Sequence, residues 1–76
     1  MILGKDINPQ KEIYYLGSIV IEVLKLSEKK DNDFFYLYRQ VNEKERVSVN
    51  LFALTLDWLF ILGLINNKNG LIHRCF

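Results

Sequence analysis

From Val47 to Asn67 the chain carries one charge, Asp57, and the part between Ser48 and Gly63 has the spacing of a helix that is apolar on two opposite sides. At about 100° per residue, Val49, Phe52, Leu56, Leu59, Phe60 and Gly63 gather on one side. Leu51, Leu54, Trp58, Ile61 and Leu62 gather roughly opposite, and only a narrow strip with Asn50 and Asp57 is polar. A 76-residue chain builds one small domain with one core, so one of those sides is surplus. The surplus predicts a protein interface made of Leu51, Leu54, Trp58, Ile61 and Leu62, with Trp58 at its centre as an anchor among aliphatic side chains. The competing arrangement has the other helices wrap this one from both sides and leave nothing over.

The rest of the chain predicts a small α+β domain, three helices followed by a C-terminal β-hairpin. Asn8-Pro9 suits a helix start, and Ile13, Leu16, Ile19, Val20, Val23 and Leu24 then fall on one helical face. Gly17 interrupts that face at a cost of about 1 kcal/mol relative to Ala, so it is either merely tolerated or there to admit a close neighbour. The polar run Ser27 to Asp33 reads as a connecting loop whose residues cap a second helix. That helix is aromatic-rich, with Phe34, Phe35, Leu37, Tyr38 and Val41 turned inward and Tyr36 and Arg39 leaning toward solvent; residues 42–46 close it as a solvated connection. Ser48 is the expected N-cap of the third helix, with Val47 and Phe52 at hydrophobic-staple spacing, and Gly63 suits its C-terminus. Asn69-Gly70 is the favoured dipeptide of a type I′ turn between short strands around Leu64-Ile65 and Leu71 to Arg74. Met1-Ile2-Leu3 is a candidate third strand. Helix, helix, helix, hairpin is the element order of a winged-helix domain spanning residues 1–76.

A winged helix raises the question of DNA, and the third helix answers against it. Groove-reading helices present Arg, Lys, Asn, Gln, Ser or Thr to base edges and phosphates, yet no Lys or Arg lies between Val47 and Asn67. Ten basic against nine acidic residues leave a formal net charge of +1, with no general attraction to a polyanion or an anionic lipid surface. Lys68 and Arg74 flank the hairpin turn and are the candidates for a wing contact to phosphate; solubilising charge is the plainer reading. The aromatic residues of the first two helices lack flanking bases and read as packing rather than as a stacking platform.

Catalysis finds no residue set to work with. A metal site usually needs three or four ligands, and His73 with Cys75 would supply two at most. No Gly-rich phosphate loop is present, and Asp57 reads as a surface carboxylate that meets water or a partner. No catalytic residue, metal or cofactor is expected. A lone cysteine allows no internal disulfide and the start of the chain has no signal-peptide pattern, so the expected location is cytoplasmic. A membrane span is disfavoured, because Asp57 would sit mid-span at a cost of about 2.5 to 3.5 kcal/mol.

The run Leu56-Asp-Trp-Leu-Phe-Ile-Leu-Gly-Leu-Ile65, together with Tyr14-Tyr15-Leu16-Gly17, the Asn69-Gly70 turn and the ending Arg74-Cys75-Phe76, resembles the small middle component of bacterial ABC three-component systems. The resemblance extends over nearly the whole chain. It implies kinship with Lamassu-type anti-phage defence and a non-enzymatic accessory subunit. The implied partners are a Rad50-like or SMC-like ABC ATPase, bound at its head or adjoining coiled coil, and an effector, commonly a nuclease. ATP would belong to the partner, and DNA would be met at most through the complex. The alternative is a small winged-helix DNA-binding regulator, a homodimer using the apolar side for self-association and the hairpin for phosphate.

Overall fold

The computed structural model describes residues 9–76, with side chains from Glu12 onward. Helix α1 runs Pro9–Leu26, α2 Phe34–Lys44 and α3 Val49–Ile61; the strands are β1 Asp31–Asn32, β2 Ile65–Lys68 and β3 Leu71–Arg74. The result is an α+β fold, three helices with a small antiparallel sheet in the order β1-β3-β2. The suggestions of an Asn8 cap and of a strand at Met1 to Leu3 fall outside the described residues.

The local signals explain the helix ends. Asp33 caps α2 by accepting from the amides of Phe35 and Tyr36, and Ser48 Oγ caps α3 by accepting from Leu51 N–H at 3.1 Å. Val47 and Phe52 are both buried at the start of α3, as staple spacing requires. At its other end the Leu64 amide donates to Leu59 O and the Gly63 amide to Phe60 O, each at 3.0 Å, with Gly63 at φ +80°. These paired bonds satisfy last-turn carbonyls and need a left-handed residue, which glycine supplies without Cβ strain.

The hairpin follows its turn dipeptide. Asn69 and Gly70 both have positive φ, 55° and 80°, as a type I′ turn demands, and β2 pairs β3 from Ile65↔Arg74 to Lys68↔Leu71. The strand expected to stop near Ile65 continues through the polar Asn66, Asn67 and Lys68, because backbone pairing rather than side-chain burial carries it.

The connection read as a loop between the first two helices contains a strand. Asp31 and Asn32 pair with His73 and Ile72 of β3. Two polar residues give no alternation to read; long-range contacts hold them. His73 Nδ1 donates to Asp31 Oδ1 at 2.6 Å, and buried Asn32 accepts from Ser27 Oγ and donates to Lys29 O. Arg74 completes the junction by donating from Nη1 to Leu24 O at 2.8 Å, in the last turn of α1 where a cation also suits the helix dipole.

The core lies where α3 meets α1, α2 and the base of the hairpin. Leu16, Val20 and Leu24 come from α1, Leu37 and Val41 from α2, Phe52, Leu56 and Leu59 from α3, and Ile65 from β2. Phe34 and Tyr38 pack their rings against Phe52 with centroids 5.2 Å away, and Tyr38 Oη donates to Val47 O at 2.7 Å. On α2, Phe35 points outward instead of into the core, beside Tyr36.

Candidate functional site: the outward surface of α3

Phe52, Thr55, Leu56 and Leu59 form the buried side of α3. Thr55 is fully buried, and its Oγ1 donates to Leu51 O at 2.8 Å, which removes the cost of an unpaired hydroxyl in that position. Its burial has no signal in the sequence, where a threonine between Leu54 and Leu56 gives no sign of facing the core.

The five residues expected on the opposite side divide into two groups. Leu54, Ile61 and Leu62 are solvent-facing, with 55%, 81% and 52% of their surface exposed. Leu51 and Trp58 are half-buried and pack against the core. Trp58 is therefore at the border of the exposed surface rather than its centre. The physical reason is Gly17: a Cβ there would lie 2.8 Å from Trp58 Cζ3, so the missing side chain makes room for the indole on α1. Tyr14 meets the same indole edge-on, with ring centroids 4.8 Å apart. The close neighbour admitted by Gly17 is a ring.

Val49, which spacing puts with the core side, is 41% exposed, and Phe60, put there too, has 49% of its surface exposed. Phe60 sits instead on the far edge of the outward arc, beyond Asp57. In cross-section the outward surface of α3 thus runs from Phe60 and half-buried Ala53, through the polar strip of Asn50 and Asp57, to Ile61 and Leu54. Exposed Tyr14 and Tyr15 of α1 continue the apolar surface past Trp58. The Tyr15 hydroxyl donates to Glu45 Oε1 at 3.1 Å; that bond, with the carboxylate's charge, holds its pKa above the usual phenol value.

Two clefts adjoin these elements. One, about 300 Å³, lies between α3 and the hairpin, floored by Phe34, Leu56 and Ile72 and edged by Asp57, Phe60 and Asn67. The other, about 610 Å³, lies between the end of α1, β1 and the start of α2, and no residue of α3 lines it. Its carboxylates have local work: Asp31 accepts from His73, and Asp33 caps α2. Among the described residues no group of three or more His, Cys, Asp or Glu is placed to hold a metal ion, and Cys75 is a free exposed thiol.

The two hairpin cations differ in availability. Lys68 is exposed on β2, whereas Arg74 is tied to the end of α1 and its guanidinium lies 5.6 Å from the Phe76 ring centroid. Among the described residues no helix is long and apolar enough to cross a membrane.

A family model described as the ABC-three component (ABC-3C) system middle component 6 matches residues 2–75. No curated protein and no solved structure matches the chain. Membership of such a family carries association with the other components of a three-component system, which suits a chain with this much apolar surface left outward. The chain belongs to the family of ABC three-component system middle component 6.

Proposed function

We propose that this chain is a non-enzymatic accessory subunit of a bacterial anti-phage defence complex of the Lamassu kind. In this reading it binds a Rad50-like or SMC-like ABC ATPase, at the head or adjoining coiled coil, and helps couple that ATPase to an effector such as a nuclease. The order helix, strand, helix, helix, strand, strand with a terminal hairpin supports a winged-helix assignment, used here for protein contact. The observation that carries the reading is the exposure of Leu54 and Ile61 on one side of a helix whose other side already fills the core, with exposed Leu62 at its C-cap. Apolar side chains in water gain about 25 cal/mol per Å² when covered, and a helix with this pattern on both sides is characteristic of one buried in a larger assembly. Trp58 and Leu51, half-buried and packed against the core, border this face.

The DNA-regulator alternative has less behind it. Its phosphate contacts would rest on Lys68, since Arg74 is engaged with α1, and the outward arc of α3 offers phosphate a carboxylate. Co-expression of the tagged chain with the products of the adjacent genes tests the proposal. Recovery of a stable complex containing an ABC ATPase, lost in Leu54→Asp, is the expected outcome. Salt-sensitive binding of duplex DNA by the isolated chain, with no complex formed, would favour the regulator.

A further inference from the structure

The cleft between α3 and the hairpin is distinct from the Leu54, Ile61 and Leu62 face, from which the Asn50 and Asp57 strip divides it. Its floor is apolar, with Leu56 buried and Phe34 and Ile72 half-buried, and Phe60 forms one wall. Asp57 stands on its rim as the sole charged residue of α3. Among the described residues Asp57 is exposed, and neither an ion pair nor a side-chain hydrogen bond involves it. An apolar slot edged by one unpaired carboxylate, with no Lys or Arg among the residues that line it, fits a cationic protein segment better than a phosphate.

The hairpin edge bears on what form that segment takes. β2 is an outer strand of the sheet, but the Asn67 amide already donates to Asn66 Oδ1 at 2.8 Å, and Asn67 Oδ1 accepts from Gly70 N–H at 3.1 Å. Strand addition would need the Asn67 donor released first, whereas a helix laid in the slot needs no backbone bond from it. We propose that this cleft seats an amphipathic helix of another component of the system. That helix carries an aliphatic or aromatic side chain that enters between Phe60 and Leu71, and a Lys or Arg one turn away that pairs with Asp57. The inference rests on the reading of this chain as an assembling subunit. With the Leu54 face it gives the chain two separate attachment surfaces on one helix.

The test uses the full set of adjacent gene products co-expressed with tagged Asp57→Lys, Asp57→Asn, Phe60→Ser and Leu54→Asp chains. Asp57→Lys is expected to weaken capture of one component by about tenfold or more, and Asp57→Asn by a few-fold, with part of the salt dependence removed. Melting temperatures of the two Asp57 variants should match that of the parent chain, because Asp57 is exposed; this keeps the test independent of folding in Phe60→Ser. Hydrogen exchange in the complex is expected to slow across residues 65–72. Unchanged capture with Asp57→Lys and Phe60→Ser would overturn the inference. So would a finding that these variants disrupt only a dimer of the isolated chain, which would make a second copy the occupant. If Leu54→Asp abolishes the complex while both cleft variants retain it, the subunit role stands and the cleft proposal fails. If all variants retain it, both fail.

Discussion

The two sides of α3 are built from nearly the same materials and meet opposite surroundings. Phe52, Leu56 and Leu59 are enclosed by α1, α2 and the hairpin, while Leu54, Ile61 and Leu62 face solvent. Composition therefore does not separate core from interface along this helix; only the set of elements available to cover each side does. Two further helices and a small sheet enclose Phe52, Leu56 and Leu59, leave Phe60 at an open cleft, and reach around the other side only as far as Trp58, where Gly17 lets α1 close in. The larger consequence is that substitution on one side should act on folding and on the other on assembly.

The largest effect is expected on the enclosed side. Phe52→Ala should cost about 3–5 kcal/mol, enough to leave a domain of this size largely unfolded, as urea denaturation would measure. Loss of complex without loss of stability from this variant would break the distinction. On the outward side, Leu54→Lys combined with Ile61→Lys should shift chain stability by no more than about 0.5 kcal/mol, because Lys keeps helix propensity, faces Asp57 and suits the last turn of α3. The same pair should weaken association by about 2 kcal/mol or more, read by titration of the reconstituted complex. Strong destabilisation of the isolated double variant would mean that these side chains belong to the core after all. At the border, Gly17→Ala is expected to push the indole off α1. Overpacking costs about 1–3 kcal/mol, and about 1 kcal/mol of helix propensity offsets part of it, for a small net loss. A shift in Trp58 fluorescence should accompany it, and an unchanged spectrum would contradict the close contact. The smallest effect belongs to Thr55→Val, which removes both a buried hydroxyl and its bond to Leu51 O; about 1 kcal/mol or less in thermal unfolding is expected.

The elements with local signals were legible in the sequence: α3 through its cap, staple and terminal glycine, the hairpin through Asn69-Gly70, and α1 and α2 through their apolar periodicity. What escaped depends on contacts distant along the chain. β1 is two polar residues whose place is fixed by β3 and by the His73 bond to Asp31, and no local pattern encodes that pairing. Arg74 likewise found its role at the C-terminal turn of α1, far away in sequence. At the candidate site, periodicity separated the two sides of α3 but could not say where α1 would touch it. Gly17 held the missing information, since a glycine within an apolar helical face opposite a tryptophan is the signal of a ring packed on backbone. Phe60 was misassigned because angular position alone ignores the hairpin, which leaves an open cleft beside it instead of sealing it.

The outward apolar side chains of α3 are exposed in the free chain and, on the proposed function, covered in the assembly. Hydroxyl-radical labelling of Leu54, Ile61 and Leu62, with Leu59 as the enclosed reference, measures this residue by residue. Strong labelling of the three and little of Leu59 is expected in the isolated chain, with the three becoming protected when the other system components are bound. Equal labelling of Leu54, Ile61 and Leu62 in the free and assembled states would contradict it.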